Sequence, residues 1–101
     1  MRIVVFFDLP VSTAANRREY SRFRKHLIED GYLMMQQSVY SKLCLNATAA
    51  KYAIDRLCTH KPRKGIVQAL TVTERQYSRI ENIIGKDSSE LLSSDESIFV
   101  L

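Results

Sequence analysis

The sequence predicts an α+β fold, a ferredoxin-like βαββαβ sandwich with an extra C-terminal strand. Two observations carry this prediction. Apolar, β-branched segments alternate with helical segments in the order β-α-β-α-β-α-β, and each of the two long helical segments has a single apolar stripe. The 101 residues allow one domain, residues 1–101, which excludes a large multidomain enzyme.

The first strand-like segment, Arg2–Leu9, has apolar residues on both faces, and Gly65–Thr73 repeats the pattern. In this sandwich the helices cover one face of the sheet only. We therefore expect a second copy of the chain to cover the other face, giving a sheet-to-sheet homodimer. Residues 97–101 are expected to form a C-terminal strand, added either to the partner's sheet or to the sheet of their own chain.

The first helix is predicted over Thr13–Asp30, with Thr13 or Ser12 as its cap and Gly31 at its end. Its apolar stripe consists of Tyr20, Phe23 and Leu27. The following segment, Tyr32–Leu45, is predicted to be extended, either as two short strands or as one strand bent near Gln36 and Gln37.

A second helix is predicted over Ala47–His60. Its apolar spacing assigns four residues to the core, namely Ala50, Ile54, Leu57 and Cys58. A third, shorter helix is predicted over Glu74–Ile84.

Several classes of protein are excluded by what the sequence lacks. Two cysteines 14 positions apart, Cys44 and Cys58, form neither a disulfide framework nor a zinc motif. We expect both thiols to be buried, His26 and His60 to lie on the surface, and the protein to be cytoplasmic. The longest apolar run, Ile3–Phe7, is far shorter than the roughly 18–20 residues that cross a membrane. No glycine-rich phosphate loop and no nucleophile elbow is present.

The charge is unevenly distributed along the chain. Residues 1–64 carry 12 basic and 5 acidic side chains, a net +7, whereas residues 65–101 carry 3 and 6, a net −3. The candidate nucleic-acid-binding residues are Arg17, Arg18, Arg22, Arg24 and Lys25 on the first helix, extended by Lys61, Arg63 and Lys64. Because the aromatic residues of a base-stacking RNA motif are missing, this basic surface favours a nucleic-acid duplex bound through its backbone over base-stacked single strands.

Asp8 is the carboxylate that stands out, because it ends an otherwise apolar strand and precedes Pro10 by two positions. The sequence leaves two interpretations open: Asp8 accepts a hydrogen bond within the turn, or it is a functional carboxylate. In a dimer whose axis brings two copies of Asp8 together, the pair would suit Mg²⁺, which takes few protein oxygens and keeps several waters. Such an ion polarises a phosphodiester and activates water.

These residues resemble a known family. The strand ending in Asp8-Leu9-Pro10, the arginine-rich helix, Gly31 and the segment Gln37–Lys42 are similar to the second of the two universal CRISPR adaptation proteins, in its type II form. The resemblance covers nearly the whole chain, although Met35 stands where that pattern has histidine before the glutamine.

The resemblance implies a ferredoxin-like homodimer in which Asp8 is the Mg²⁺-binding carboxylate of a metal-dependent endonuclease. Arg17, Arg18 and their neighbours would contact the DNA backbone. It also implies a partner, the CRISPR integrase, bridged by the dimer while new spacer DNA is joined to the repeat array.

Two functions from different classes remain open. The first is an enzyme that cleaves phosphodiesters at the Asp8 pair, and the second is a scaffold that positions duplex DNA and recruits the integrase. Because a single aspartate without a neighbouring general base is poorly suited to hydrolysis, we expect the scaffold to be the main role and nuclease activity to be conditional. The alternative is a toxin-like, metal-dependent endoribonuclease of the same fold.

Overall fold

Four antiparallel strands form a single sheet in the computed structural model, which describes residues 1–85. The strands are β1 (Arg2–Asp8), β2 (Leu33–Gln36), β3 (Val39–Leu43) and β4 (Ile66–Val72), and the helices are α1 (Ala14–Glu29), α2 (Ala47–Thr59) and α3 (Glu74–Tyr77). The sheet order is β2-β3-β1-β4, with β1 in the interior. The predicted ferredoxin-like fold is confirmed, and the segment Tyr32–Leu45 forms two strands with an irregularity between Met34 and Gln36. The predicted strand at 97–101 lies outside the described residues.

One face of the sheet packs against α1 and α2. Alternate residues of β1, Ile3, Val5 and Phe7, meet Phe23 of α1 and Leu57 of α2 in the buried core. The aromatic ring of Phe7 makes an edge contact with Phe23, their centroids 5.3 Å apart. Burying side chains of this size is the main source of stability for a domain of this length.

The opposite face of the sheet has apolar side chains that no other described element covers fully. Strand register places Arg2, Val4, Phe6 and Asp8 on this face, with Leu33, Val39, Ser41, Leu43, Ile66, Gln68, Leu70 and Val72 from the other strands. We call it the open sheet face. Its centre is tightly packed, since Val4 is only 8% exposed, but Leu33 is 70% exposed. The two-faced pattern of β1 therefore corresponds to one covered face and one face that residues 1–85 leave partly open.

The third helix is shorter than predicted. It ends at Tyr77, whereas the sequence predicts helix as far as Ile84, and Ile83 and Ile84 are almost fully exposed. A short helix gains most of its stability from packing against another surface, and Ile83 and Ile84 are not packed in this way within residues 1–85. Arg2 holds α3 in place through a bidentate ion pair with Glu74, 2.8 and 2.9 Å, and lies over the ring of Tyr77.

The ends of α1 agree with the sequence, since the Thr13 side chain accepts from the Asn16 amide and Gly31 adopts a φ of 97°. The assignment of Cys58 to the core is wrong, because this residue is exposed. The buried stripe of α2 runs through Ala50, Ala53 and Leu57 instead. The predicted Ile54 is partly buried against the same core, so the buried stripe is turned away from Cys58 and towards Ala53.

The carboxyl-terminal ends of α1 and α2 are joined by two contacts. The rings of His26 and His60 stack with centroids 3.9 Å apart, and Arg56 donates hydrogen bonds to both carboxylate oxygens of Asp30. The two histidines are thus half-buried against each other, whereas the sequence places them on the free surface. None of the helices within residues 1–85 is long and apolar enough to cross a membrane.

Candidate nucleic-acid interface and the Asp8 carboxylate

Asp8 is the last residue of β1 and lies on the open sheet face, opposite Ile66 of β4. Its position follows from strand geometry, because Val4, Phe6 and Asp8 alternate with the core residues of the same strand. The side chain is exposed and makes no hydrogen bond or ion pair with any other residue in the range 1–85. No side chain or backbone group of the described residues therefore occupies its carboxylate oxygens.

The turn before β4 packs directly on the backbone of Asp8. Gly65 has a φ of 101°, and a methyl group added there would lie 2.6 Å from the carbonyl oxygen of Asp8 and 2.7 Å from Cδ2 of Leu9. Only glycine allows this conformation and this close approach together. The segment Lys61–Gly65, which we call the α2–β4 loop, is thereby fixed against the end of β1.

The described residues do not assemble a metal site around Asp8. Within residues 1–85, no three histidine, cysteine, aspartate or glutamate side chains are close enough together to hold a metal ion. The stacked His26 and His60 are not a chelating pair either, because ring-nitrogen lone pairs lie in the ring planes and those planes are only 14° from parallel. A metal at Asp8 would therefore need further ligands from outside residues 1–85 of this chain.

Three of the five predicted basic residues of α1 have intramolecular partners. Arg17 donates to the carbonyl of Val11 at 3.1 Å, and Arg22 pairs with Glu19 at 2.9 Å. Arg24 donates through Nε to the hydroxyl of the buried Tyr40 at 2.8 Å. Arg17 and Arg24 thus support the local fold, which the charge pattern alone did not reveal.

The other two, Arg18 and Lys25, make no ion pair or side-chain hydrogen bond with the described part of the chain. Arg18 lines a cleft of about 380 Å³ between α1 and the α2–β4 loop, together with Arg63, Lys64 and Glu19. Lys25 lies on a separate groove beside the two histidines. The structure thus brings Arg18 together with two of the additional basic residues, but it does not gather all five predicted residues at one site.

Glu19 is the one acidic side chain among the residues that line this cleft. Its Oε1 accepts the hydrogen bond from Arg22 and, at 3.4 Å, one from the backbone amide of Arg63. The hydrogen bond from Arg22 lowers the pKa of Glu19 most, and the Arg63 amide lowers it further. The sequence shows Glu19 as the only acidic residue between Arg17 and Lys25, but it does not show the hydrogen bond to Arg63.

Comparison with known proteins identifies the family. The family model "CRISPR associated protein Cas2" matches residues 1–80. The chain belongs to the Cas2 family. A relative from Treponema denticola, named CRISPR-associated endoribonuclease Cas2, is 52% identical over the whole length of both chains. A relative of the same name from Ligilactobacillus salivarius is 42% identical, again over the whole length of both.

The fold of the Cas2 family is also found by structural comparison. A crystal structure of Cas2 from Streptococcus pyogenes matches with a TM-score of 0.63, covering 82% of this chain and 99% of that one. The sequence identity is 18%, so this match supports a shared fold and nothing further. The family resemblance inferred from Asp8, the arginine-rich helix and the Gln37–Lys42 segment is confirmed.

Proposed function

We propose that this Cas2-family protein is a homodimer that binds double-stranded DNA through the backbone and bridges the CRISPR integrase during spacer acquisition. The observation that supports this proposal best is the open sheet face. Exposed apolar side chains on it, among them Leu33, Leu43 and Leu70, surround a tightly packed centre. A face of this kind is typical of an interface, and a second copy of the same face is the simplest cover.

A dimer formed through this face would place its helices outward. The cations of α1 and of the α2–β4 loop would then be available to duplex DNA on the outer surface, twice over by symmetry. Such contacts attract phosphates without reading bases, so binding should depend on salt and not on sequence. The integrase partner follows from membership of the Cas2 family and from no particular contact in this chain.

The same dimer would bring Asp8 to the interface from both sides. Two exposed carboxylates fit Mg²⁺, which needs few protein oxygens, so the Asp8 pair would hold the ion. When bound, Mg²⁺ supplies polarisation of a phosphodiester and acidification of a water. The chain itself positions Asp8 in two ways. Gly65 packs on the backbone of Asp8, and the side chain of the following residue, Leu9, is buried in the core.

The dimer is tested by placing a charge on the open sheet face. Leu70→Glu should convert the dimer to monomer in sedimentation velocity, because an unpaired carboxylate would be buried at the interface. Tyr52→Glu is the matched control, since Tyr52 is similarly exposed but lies on α2. A Leu70→Glu protein that remains dimeric while binding DNA normally would refute this interface.

The scaffold role is tested at Asp8. Asp8→Ala should abolish metal-dependent cleavage but leave duplex binding and spacer acquisition intact, because Asp8 is not one of the basic residues proposed to contact the DNA backbone. Duplex binding and acquisition are measured for the same preparation. Loss of acquisition with the integrase complex still assembled would show that the chemistry at Asp8, and not the scaffold, is required.

A second function, metal-dependent cleavage of RNA at the Asp8 pair, is favoured by the names of the relatives, which are called endoribonucleases. The two substrates are compared directly, single-stranded RNA against duplex DNA, each with Mg²⁺ and with EDTA. Cleavage of RNA that EDTA and Asp8→Ala both abolish would establish this function. Cleavage that survives in Asp8→Ala would come from a contaminant or from other residues.

A further inference from the structure

We propose that the cleft between α1 and the α2–β4 loop is a binding site for one phosphate group, and that Glu19 occupies it as a competing internal anion. The inference rests on the proposed function, because a backbone phosphate is the ligand it assigns. It goes further by placing that ligand at three named side chains, Arg18, Arg63 and Lys64.

The charge of the cleft favours an anion. Arg18, Arg63 and Lys64 line it, and none of their side chains has an ion-pair partner within the described residues. Against these three positive charges stands one carboxylate, that of Glu19. Two arginines in one cleft suit phosphate in particular, because the planar guanidinium donates two parallel hydrogen bonds to neighbouring phosphate oxygens.

The walls of the cleft are held in place before a ligand arrives. Pro10 and Pro62 line it and restrict the two loops, since the proline ring fixes φ. The contact of Gly65 with Asp8 and Leu9 fixes the end of the same loop. A cleft of about 380 Å³ accommodates a phosphate with several waters, each of which takes about 30 Å³.

Glu19 is the anion that this cleft already contains. Its Oε1 accepts from the Arg22 side chain at 2.9 Å and from the Arg63 amide at 3.4 Å, so one carboxylate oxygen links α1 to the α2–β4 loop. A phosphate entering the cleft would meet this like charge and would compete with it for the backbone amide of Arg63. Glu19 therefore weakens phosphate binding and keeps the loop close to α1 in the free protein.

The test uses inorganic phosphate as the probe, titrated into the full-length protein at constant ionic strength and followed by ¹H–¹⁵N NMR shifts. Shifts of residues 15–19 and 63–65 should saturate with phosphate. The Arg63→Gln/Lys64→Gln double variant should bind at least about tenfold more weakly, because charge-assisted hydrogen bonds are lost. Lys51→Gln, which removes an exposed lysine of α2, is the matched control and should bind as the wild type does.

The Glu19→Gln variant tests the competing role of Glu19 separately from the phosphate site. Removing one exposed like charge should tighten phosphate binding about two- to fivefold. Unchanged or weaker binding by this variant would overturn the role of Glu19. Absence of saturable shifts in the wild type, or equal affinity in the Arg63→Gln/Lys64→Gln variant, would overturn the phosphate site itself.

A parallel measurement of duplex DNA affinity separates this inference from the proposed function. If the double variant loses phosphate but binds DNA as the wild type does, the cleft is a phosphate site that DNA does not use, and the assignment of a backbone phosphate fails. If neither the wild type nor any variant binds duplex DNA while phosphate still saturates the cleft, the proposed function fails and the site stands.

Discussion

Gly65→Ala should destabilise the protein through two separable effects. The φ of 101° is unfavourable for any residue with a Cβ, at a cost of about 1–2 kcal/mol. The new methyl group would also lie 2.6 Å from the carbonyl oxygen of Asp8, a backbone atom of the central strand that has no freedom to move aside. Overpacking of this kind costs about 1–3 kcal/mol, so the total loss of unfolding free energy should be about 2–5 kcal/mol.

Gly31→Ala provides the matched control. Gly31 has nearly the same φ, 97°, but the nearest atom to an added methyl group there is Cε of Lys42 at 3.7 Å, an ordinary contact with a flexible side chain. This variant should therefore lose only the conformational part, about 1–2 kcal/mol. Unfolding in urea at one protein concentration measures both losses. Equal losses in the two variants would refute the argument that the α2–β4 loop is packed tightly on Asp8.

Two further predictions concern side chains that the sequence misplaced. Burial, and then the charge of His60, lower the pKa of His26, so its contribution to unfolding free energy is complete above its ordinary pKa of about 6.5 and is lost as the pH falls toward the lower native pKa. Urea unfolding between pH 8 and pH 5 should show this loss of unfolding free energy, and the loss should be smaller in His26→Gln. If the unfolding free energy of His26→Gln changes with pH as that of the wild type does, His26 is not the group responsible. Iodoacetamide should modify the exposed Cys58 of the native protein rapidly and the buried Cys44 only after unfolding, as mass spectrometry would show. Equal rates for the two thiols would contradict the orientation of α2.

The fold could be predicted because its main elements are determined locally. Thr13 caps α1 through its own side chain, Gly31 ends that helix with a positive φ, and the alternation in β1 separates core from open face. Each of these depends on residues close together in sequence. The third helix failed as a prediction because its isoleucines have the correct spacing, yet a helix that short is stable only where it packs against another surface.

The site was predicted less completely, because pairing between distant residues decides which cations are free. The charge pattern treats the basic residues of α1 as equivalent, but Arg24 is tied to Tyr40, 16 positions away. Arg18 meets Arg63 only because the α2–β4 loop returns to the end of β1. No periodicity within α1 contains that information.

Alternation at the end of β1 places the proposed metal site and the proposed phosphate cleft on different sides of the sheet. Asp8 and Leu9 are neighbours in sequence, yet Asp8 is exposed on the open sheet face while Leu9 is in the core and lines the phosphate cleft. Substitutions at Asp8 and at Arg63 should consequently act independently, because the two side chains belong to opposite sides of the sheet and share no partner within residues 1–85. In an Asp8→Ala/Arg63→Gln double variant, the loss of duplex affinity should equal that of Arg63→Gln alone. A substantially larger loss would show that a bound duplex contacts both sites at once, with its backbone running around the end of β1.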